Sequence, residues 1–215
     1  MSNSSDPYPN QEAQTGLIRK CLQILADSNC KIQVITKSAL VTRDTDLLKQ
    51  TPSMVVLTIT SLDDSAAELI EPDAPPPSER LKAAETLTRN GIPTAIRIDP
   101  IIPYVNDKPE TLIKTLASIG IRHVTTSTLK IKSDNWKRLA QVLPETARKL
   151  EPLYFEQGER IGGNLYLPRE MRLALMLDAE ELAKKYGMRF GTCREGFSHL
   201  NTATCDGSWL LDEIG

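Results

Sequence analysis

Short runs of apolar, often β-branched residues alternate with longer segments of helical periodicity along the first two thirds of the chain. Four such runs predict buried strands, at 31–36, 54–60, 93–98 and 122–127. Helical periodicity between them predicts helices at 17–26, 79–90 and 109–119. Near-continuous apolar runs are typical of parallel strands that are covered on both faces. The alternation therefore predicts an α/β fold with a parallel sheet, either open or closed into a barrel.

The predicted helices carry boundary signals of their own. Ser78 is placed as the N-cap of helix 79–90, and Gly91 and Gly120 follow the ends of two helices. Helix 17–26 is expected to bury one face formed by Leu17, Cys21, Ile24 and Leu25.

The pattern changes after Ser133. Segments 135–150 and 169–186 predict two long amphipathic helices, joined by the glycine-rich stretch 157–166. We therefore divide the chain into an α/β part at 1–132 and a C-terminal helical extension at 133–215 that packs on it.

Composition narrows the class of protein. The 215 residues include 26 Lys and Arg against 28 Asp and Glu, a net charge of −2, which argues against a broad nucleic-acid-binding surface. No apolar stretch reaches the roughly 20 residues that span a bilayer. The polar N-terminal segment lacks the apolar core of a secretory signal, so we expect a cytoplasmic protein with no membrane partner.

Ligands of parallel α/β folds bind beyond the carboxyl ends of the strands, so the polar residues there are candidates. Lys37 follows the first strand and could pair with a carboxylate or phosphate, or simply face solvent in a turn. Thr58 and Thr60 place two hydroxyls on one face of the second strand. They could face a ligand or be satisfied core threonines.

The third strand carries an arginine in an apolar run, where its charge is costly unless paired. Arg97 and Asp99 share one face, so Arg97 could pair with Asp99 or bind a ligand anion. Asn106, in the following loop, could bind a sugar hydroxyl or cap a helix. We expect Lys37, Arg97 and Asp99 to line one pocket.

Four cysteines are scattered along the chain and form no CxxC or CxxxCxxC cluster: Cys21, Cys30, Cys193 and Cys205. Cys193, His199 and Cys205 could bind a soft metal, but their spacing matches no structural zinc site. Two buried structural cysteines and a surface histidine are therefore expected there, and no metal site is assigned.

Several segments resemble radical-SAM proteins of the spore-photoproduct-lyase type, often described as DNA repair photolyases. They are DPYPNQE (6–12), VITKSALVTRDTDLL (34–48), VVLTITSLDD (55–64), EPDAPPPSERLKAAETLTRNGIPTAIRIDPIIPYVND (71–107) and TCREGF (192–197). The resemblance implies an incomplete parallel (β/α) barrel at 1–132. It also implies a 4Fe-4S cluster on a CxxxCxxC loop, and S-adenosylmethionine chelated to that cluster. Cleavage of this cofactor would yield a radical that abstracts hydrogen from the substrate.

The resemblance also implies roles for individual residues. Asp6 and Glu12 would lie near the methionine amino group, and Lys37 would neutralise the methionine carboxylate. Thr58 or Thr60 would face the cofactor. Arg97, Asp99 and Asn106 would border its sugar and adenine.

The cysteine loop of the family is absent from this sequence, which begins at the DPY motif. We therefore expect either a lyase-like protein completed by a cluster-bearing companion polypeptide, or a remnant that acts as a non-catalytic small-molecule-binding or interaction module. Exposed strand edges would favour self-association. A nucleic-acid substrate follows from the family analogy alone.

Overall fold

The computed structural model describes Met1 and residues 5–213, which contain seven strands. They are β1 (Ile32–Thr36), β2 (Ser53–Thr58), β3 (Thr94–Ile101), β4 (His123–Thr128), β5 (Glu159–Ile161), β6 (Asn164–Tyr166) and β7 (Arg189–Thr192). Five of them form a parallel sheet in the order β1-β2-β3-β4-β7, and β5 and β6 form an antiparallel hairpin. The predicted α/β fold with a parallel sheet is confirmed.

The described helices connect and cover the strands. They are α1 (Glu12–Thr15), α2 (Leu17–Asp27), α3 (Thr45–Leu48), α4 (Asp64–Ile70), α5 (Pro77–Arg89), α6 (Glu110–Ser118), α7 (Ser133–Val142), α8 (Pro144–Phe155), α9 (Arg169–Lys185) and α10 (Trp209–Asp212). None of these helices is long and apolar enough to cross a lipid bilayer.

The two faces of the sheet are covered differently. On one face Val55, Leu57 and Ile96 belong to the main core, together with Ala84 and Leu87 of α5. Because side chains alternate along a strand, Met54, Val56 and Ala95 lie on the other face, where they pack against Leu210 and Leu211 of α10. We call this second face the inner face.

The structure corrects two predictions about local helix features. Helix α2 buries Leu22 and Ala26 and packs Leu25 against the main core. Leu17 and Ile24 are 60% and 65% exposed, so this part of the predicted face was wrong. Ser78 does not cap α5, because the helix begins one residue earlier at Pro77. The N–H of Ser78 instead donates to Asp64 at 2.9 Å.

The C-terminal part is less helical than predicted. The predicted helix 135–150 is broken at Leu143 (φ −131°), because a residue before proline disfavours the helical conformation. The glycine-rich stretch forms the β5–β6 hairpin, and Gly162 and Gly163 take the positive φ values of its turn. Strand β7 extends the sheet, so the sheet continues beyond residue 132.

The outer edges of the sheet are partly occupied by short segments. The N–H of Ile35 in β1 donates to the carbonyl of Met1 at 3.1 Å. At the other edge, Phe190 of β7 accepts a hydrogen bond from the N–H of Thr202 at 2.9 Å. Within the described residues β1 and β7 do not pair with each other, so this five-stranded sheet is open.

Candidate functional site

A cavity of about 920 Å³ opens beyond the carboxyl ends of β1, β2 and β3. Its walls come from the loop before α1, from the residues that follow β1 and β2, from segment 69–75, and from α7. Three of the predicted site residues line it: Asp6, Lys37 and Thr60. This is the place where a parallel α/β fold binds its ligand.

Asp6 ties the first loop to the end of β1. Its carboxylate accepts hydrogen bonds from the Thr36 hydroxyl at 2.6 Å and from the N–H of Lys37 at 2.7 Å. It also accepts one from the N–H of Tyr8 at 2.9 Å. Asp6 therefore fixes the backbone from which Lys37 projects at the cavity wall.

Lys37 belongs to a chain of three charged side chains. Its ammonium donates to Glu71 Oε1 at 2.7 Å, and Arg80 donates to Glu71 Oε2 at 2.7 Å. Arg80 is fully buried and also donates to the carbonyls of Pro75 at 2.6 Å and Thr58 at 3.1 Å. Lys37 remains 37% exposed and Glu71 lines the cavity. The three linked side chains therefore connect the cavity to the core.

The electrostatics of Glu71 follow from these partners. Burial alone would raise the pKa of its carboxyl, but the charges and hydrogen bonds of Lys37 and Arg80 outweigh burial and lower the pKa. Glu71 is therefore ionised at neutral pH and leaves a single net positive charge among the three side chains.

Thr60 contributes an unsatisfied polar atom to the cavity wall. Its side-chain hydroxyl is buried and has no hydrogen-bond partner among the described residues. Such an orphan is costly unless a ligand or water completes its hydrogen bonding. Thr58 is also buried but lies on the inner face with Val56, outside the described lining of the cavity.

Glu12 is engaged away from the cavity. Its buried carboxylate pairs with Arg43 at 2.8 Å and accepts from the N–H of Ile18 at 3.0 Å, at the start of α2. Burial alone would raise the pKa of the Glu12 carboxyl, but the hydrogen bonds from Arg43 and from the N–H groups at the start of α2 lower it further than burial raises it. The structure thus gives Glu12 a role in fixing α2 to the segment that follows β1.

Arg97 and Asp99 form an ion pair, and the Ser127 hydroxyl also donates to Asp99. The Cys193 side chain lies close enough to interact with Arg97 as well. All four lie on the inner face, and neither Arg97 nor Asp99 is among the described residues that line the cavity with Lys37. Lys37 thus lines the cavity beyond β1, whereas Arg97 and Asp99 lie on the inner face of β3 and do not line this cavity with it.

Asn106 is occupied by the backbone. Its amide donates to the carbonyls of Thr60 at 2.9 Å and Pro100 at 3.0 Å, and its oxygen accepts from the N–H of Ile102 at 2.6 Å. These bonds join the ends of β2 and β3 and leave no amide hydrogen free for a sugar.

The C-terminal cysteines are more accessible than predicted. Cys205 is exposed and Cys193 is half-buried, so the expectation of two buried structural cysteines was wrong. No group of three or more Cys, His, Asp or Glu side chains able to hold a metal ion occurs within residues 5–213.

Sequence reasoning missed Glu71, Arg80 and Tyr8, which line or support the cavity. The phenol of Tyr8 donates to the buried Asp44 at 3.0 Å, and its ring forms part of the cavity wall. The available signal was the segment 71–80, in which an acidic and a basic residue flank a stretch with four prolines. Only the fold shows that they turn inward.

No family model matches the chain. An uncharacterized protein of Acidianus two-tailed virus is 32% identical over 167 residues, which are 74% of this chain and 55% of that protein. An uncharacterized protein of Methanocaldococcus jannaschii is 33% identical over 147 residues, 68% of this chain and 56% of that protein. The chain thus spans slightly more than half the length of these relatives.

Solved structures of spore photoproduct lyase are also similar. A mutant of that enzyme with dinucleoside spore photoproduct superposes with a TM-score of 0.67 at 16% identity, over 89% of this chain and 60% of that one. A second complex of the enzyme with the same ligand superposes with a TM-score of 0.61 at 15% identity, over 85% of this chain and 57% of that one. The chain therefore has the fold of spore photoproduct lyase, a radical-SAM enzyme, as its sequence predicted.

Proposed function

We propose that the large cavity binds S-adenosylmethionine and that the chain is the cofactor-binding portion of a radical-SAM, lyase-like protein. The observation that carries the proposal is the buried Thr60 hydroxyl without a partner, on a cavity wall that also holds Lys37 and Asp6. The volume of about 920 Å³ lies within the roughly 300–1,000 Å³ of small-molecule sites.

The residues at the cavity fit the polar groups of this cofactor. Lys37 would donate to the methionine carboxylate while keeping its contact with Glu71, because an ammonium has three donors and one is used. Asp6 has a carboxylate at the same wall, where it would face the methionine amino group. Thr60 would donate to or accept from the ligand. Bound in this way, the cofactor would supply the hydrogen-abstracting group of the reaction.

The described cysteines do not fit an iron–sulfur cluster, since Cys21 and Cys30 flank the end of α2 and Cys193 and Cys205 lie at the other edge of the sheet. We propose that a cluster-bearing segment outside residues 5–213 supplies the cluster. The free part of the β1 edge and the exposed Leu17 and Ile24 of α2 offer it a surface.

Replacement of Lys37 by alanine is expected to weaken S-adenosylmethionine binding by about 1.5–3 kcal/mol, the range for a hydrogen bond to a charged group. Glu71 keeps Arg80 as a partner in this variant, so the fold should persist. Isothermal titration of the purified chain with S-adenosylmethionine measures the change.

Lys49→Ala is the matched control, because Lys49 is exposed and bonds only to Asn90 of the neighbouring helix end. The affinity of Lys49→Ala for S-adenosylmethionine should equal that of the wild type. Lys37→Arg should bind more tightly than Lys37→Ala, because arginine keeps the positive charge. Equal affinity of Lys37→Ala and wild type, or no binding by either, would contradict the proposed cofactor site. Binding of other small molecules instead would favour the non-catalytic module.

Anaerobic reconstitution of the purified chain with iron and sulfide is expected to leave far fewer than the four irons of a complete cluster. A 4Fe-4S cluster needs several cysteine thiolates in one place, and the described cysteines do not converge. Iron and sulfide counted per chain check this. About four irons per chain, with the brown absorbance of a cluster, would show that the chain binds the cluster unaided.

A further inference from the structure

A second cavity, of about 640 Å³, lies beyond the carboxyl ends of β4 and β7. Three segments form it: the residues after β4, the turn of the β5–β6 hairpin, and the loop after β7. Asn135 of α7 lines both this cavity and the larger one. The two cavities are therefore neighbours on the same side of the sheet.

The second cavity is basic. Lys130, Lys132 and Arg194 line it, and among its described lining residues Asp134 is the one acidic side chain. Lys130 is partly neutralised by Glu195 at 3.7 Å. Lys132 and Arg194 have no carboxylate within 4.0 Å in the part of the chain that the structure describes. Two uncompensated cations therefore face a small concave surface.

The loop after β7 adds backbone donors to these charges. Arg194 and Gly196 have positive φ values of 61° and 81°. The N–H groups of Arg194, Glu195 and Gly196 have no acceptor among the described residues. Successive unpaired N–H groups in a turn of this kind form an anion-binding concavity.

This loop is held in place by buried contacts. The Glu195 carboxylate accepts from the N–H of Thr128 at 2.8 Å, and the Glu195 carbonyl accepts from Arg172 at 2.6 Å. Arg172 is itself buried between the rings of Tyr166 and Phe197. The donors are therefore fixed before any ligand arrives, which lowers the entropic cost of binding.

We infer that the second cavity binds a phosphate group. A tetrahedral anion accepts hydrogen bonds from many directions, which suits a cavity lined by two cationic side chains and by Arg194 and Gly196, whose N–H groups are unpaired within the described residues. Ile161 and Tyr166 give the cavity an apolar wall against which the organic part of a phosphate ester can lie. If the proposed function holds, the ester is the substrate and reaches past Asn135 toward the cofactor.

Titration of the full chain at low ionic strength tests the site, with inorganic phosphate, a nucleoside 5′-monophosphate and the matching nucleoside as probes. The monophosphate should bind at least about tenfold more tightly than the nucleoside. Lys132→Gln and Arg194→Gln should each weaken phosphate binding roughly three- to tenfold, as expected for an exposed charge-assisted contact. Both side chains are exposed, so neither change should unfold the protein.

Lys137→Gln is the matched control, because Lys137 is an exposed lysine of α7 outside both cavities, and its phosphate affinity should equal that of the wild type. A short oligonucleotide separates the two sources of phosphate. If the natural ligand is a chain, the oligonucleotide should outbind the mononucleotide by more than tenfold, and otherwise the mononucleotide should bind at least as well.

Two results would overturn the inference. One is no saturable phosphate binding by the wild type up to about 10 mM, which would leave less than about 3 kcal/mol of binding free energy. The other is an equal phosphate affinity of the wild type and of the Lys132→Gln and Arg194→Gln variants. S-adenosylmethionine titrated into the same variants should give the wild-type affinity. Phosphate binding without S-adenosylmethionine binding would remove the proposed function and leave this site standing.

Discussion

Replacement of Arg80 by methionine is expected to lower the free energy of unfolding by about 3 kcal/mol or more, the cost of breaking a buried ion pair. Arg80 is 0% exposed and donates to Glu71 and to the carbonyls of Pro75 and Thr58. Methionine fills much of the same volume but removes the donors to the two carbonyls and to Glu71 Oε2. Lys37 remains as a partner of Glu71 and keeps the loss below that of an isolated buried charge.

Urea unfolding of the Arg80→Met variant measures the loss. Arg89→Met is the control, because Arg89 lies on the same helix, is 74% exposed and pairs only with Glu85 one turn away. Its cost should stay below about 0.5 kcal/mol. Addition of Glu71→Gln to Arg80→Met should recover part of the stability, since the buried carboxylate is then neutral. Equal midpoints for Arg80→Met and Arg89→Met would show that the buried pair does not stabilise the fold.

Most strands of the sheet and most helices that cover it could be predicted, because the spacing of apolar residues in the sequence indicates which side chains are buried. All four predicted strands are present within a few residues, and α9 matches its predicted segment closely. The buried face of α2 was missed because periodicity gives a stripe but not its direction. Leu17 and Ile24, seven residues apart, and Leu22 and Ala26, four apart, both fit helical periodicity, and only packing in the fold distinguishes the buried pair.

The position of β7 shows a second limit of local sequence patterns. Four residues, Arg189–Thr192, are too short a run to indicate a strand by themselves. They become one because β4 offers an unpaired edge and the hydrogen bonds of that edge need partners. This pairing depends on residues more than 60 positions apart, which no local pattern contains.

The sequence indicated where the cavity lies in the fold more accurately than which residues line it. Strand-end reasoning placed Lys37 and Thr60 at the cavity, because the ends of parallel strands open on one side. It left Arg97 to pair with Asp99 or a ligand anion, and the structure shows the pair with Asp99. The resemblance placed Asn106 beside the cofactor, whereas its amide donates to backbone carbonyls. A polar residue in an apolar run signals a partner, but the sequence does not say whether that partner is a ligand or the protein itself.

His123 is a buried titratable group that makes the fold sensitive to acid. Its ring is 0% exposed, and Nδ1 accepts a hydrogen bond from the indole N–H of Trp209 at 3.0 Å. Nε2 then carries the proton and donates to the Thr125 hydroxyl at 3.1 Å, which donates to the Cys205 carbonyl at 2.7 Å. An imidazolium would lose the bond from Trp209, so these contacts require the neutral ring.

Burial lowers the pKa of His123 to about 4, against 6.5 for the ordinary side chain. Between these two values the unfolded chain binds a proton that the folded chain does not, so the free energy of unfolding must fall as the pH falls through this range. At about 1.4 kcal/mol per pH unit, acidification from pH 7.5 to 5 should remove about 2 kcal/mol of the free energy of unfolding.

Urea unfolding of wild type and His123→Gln at both pH values measures this loss. The variant should be less stable at neutral pH but should lose about 2 kcal/mol less on acidification, whereas His199→Gln, which removes the exposed second histidine, should behave like the wild type. The same loss in wild type and His123→Gln would mean that His123 does not cause the acid sensitivity.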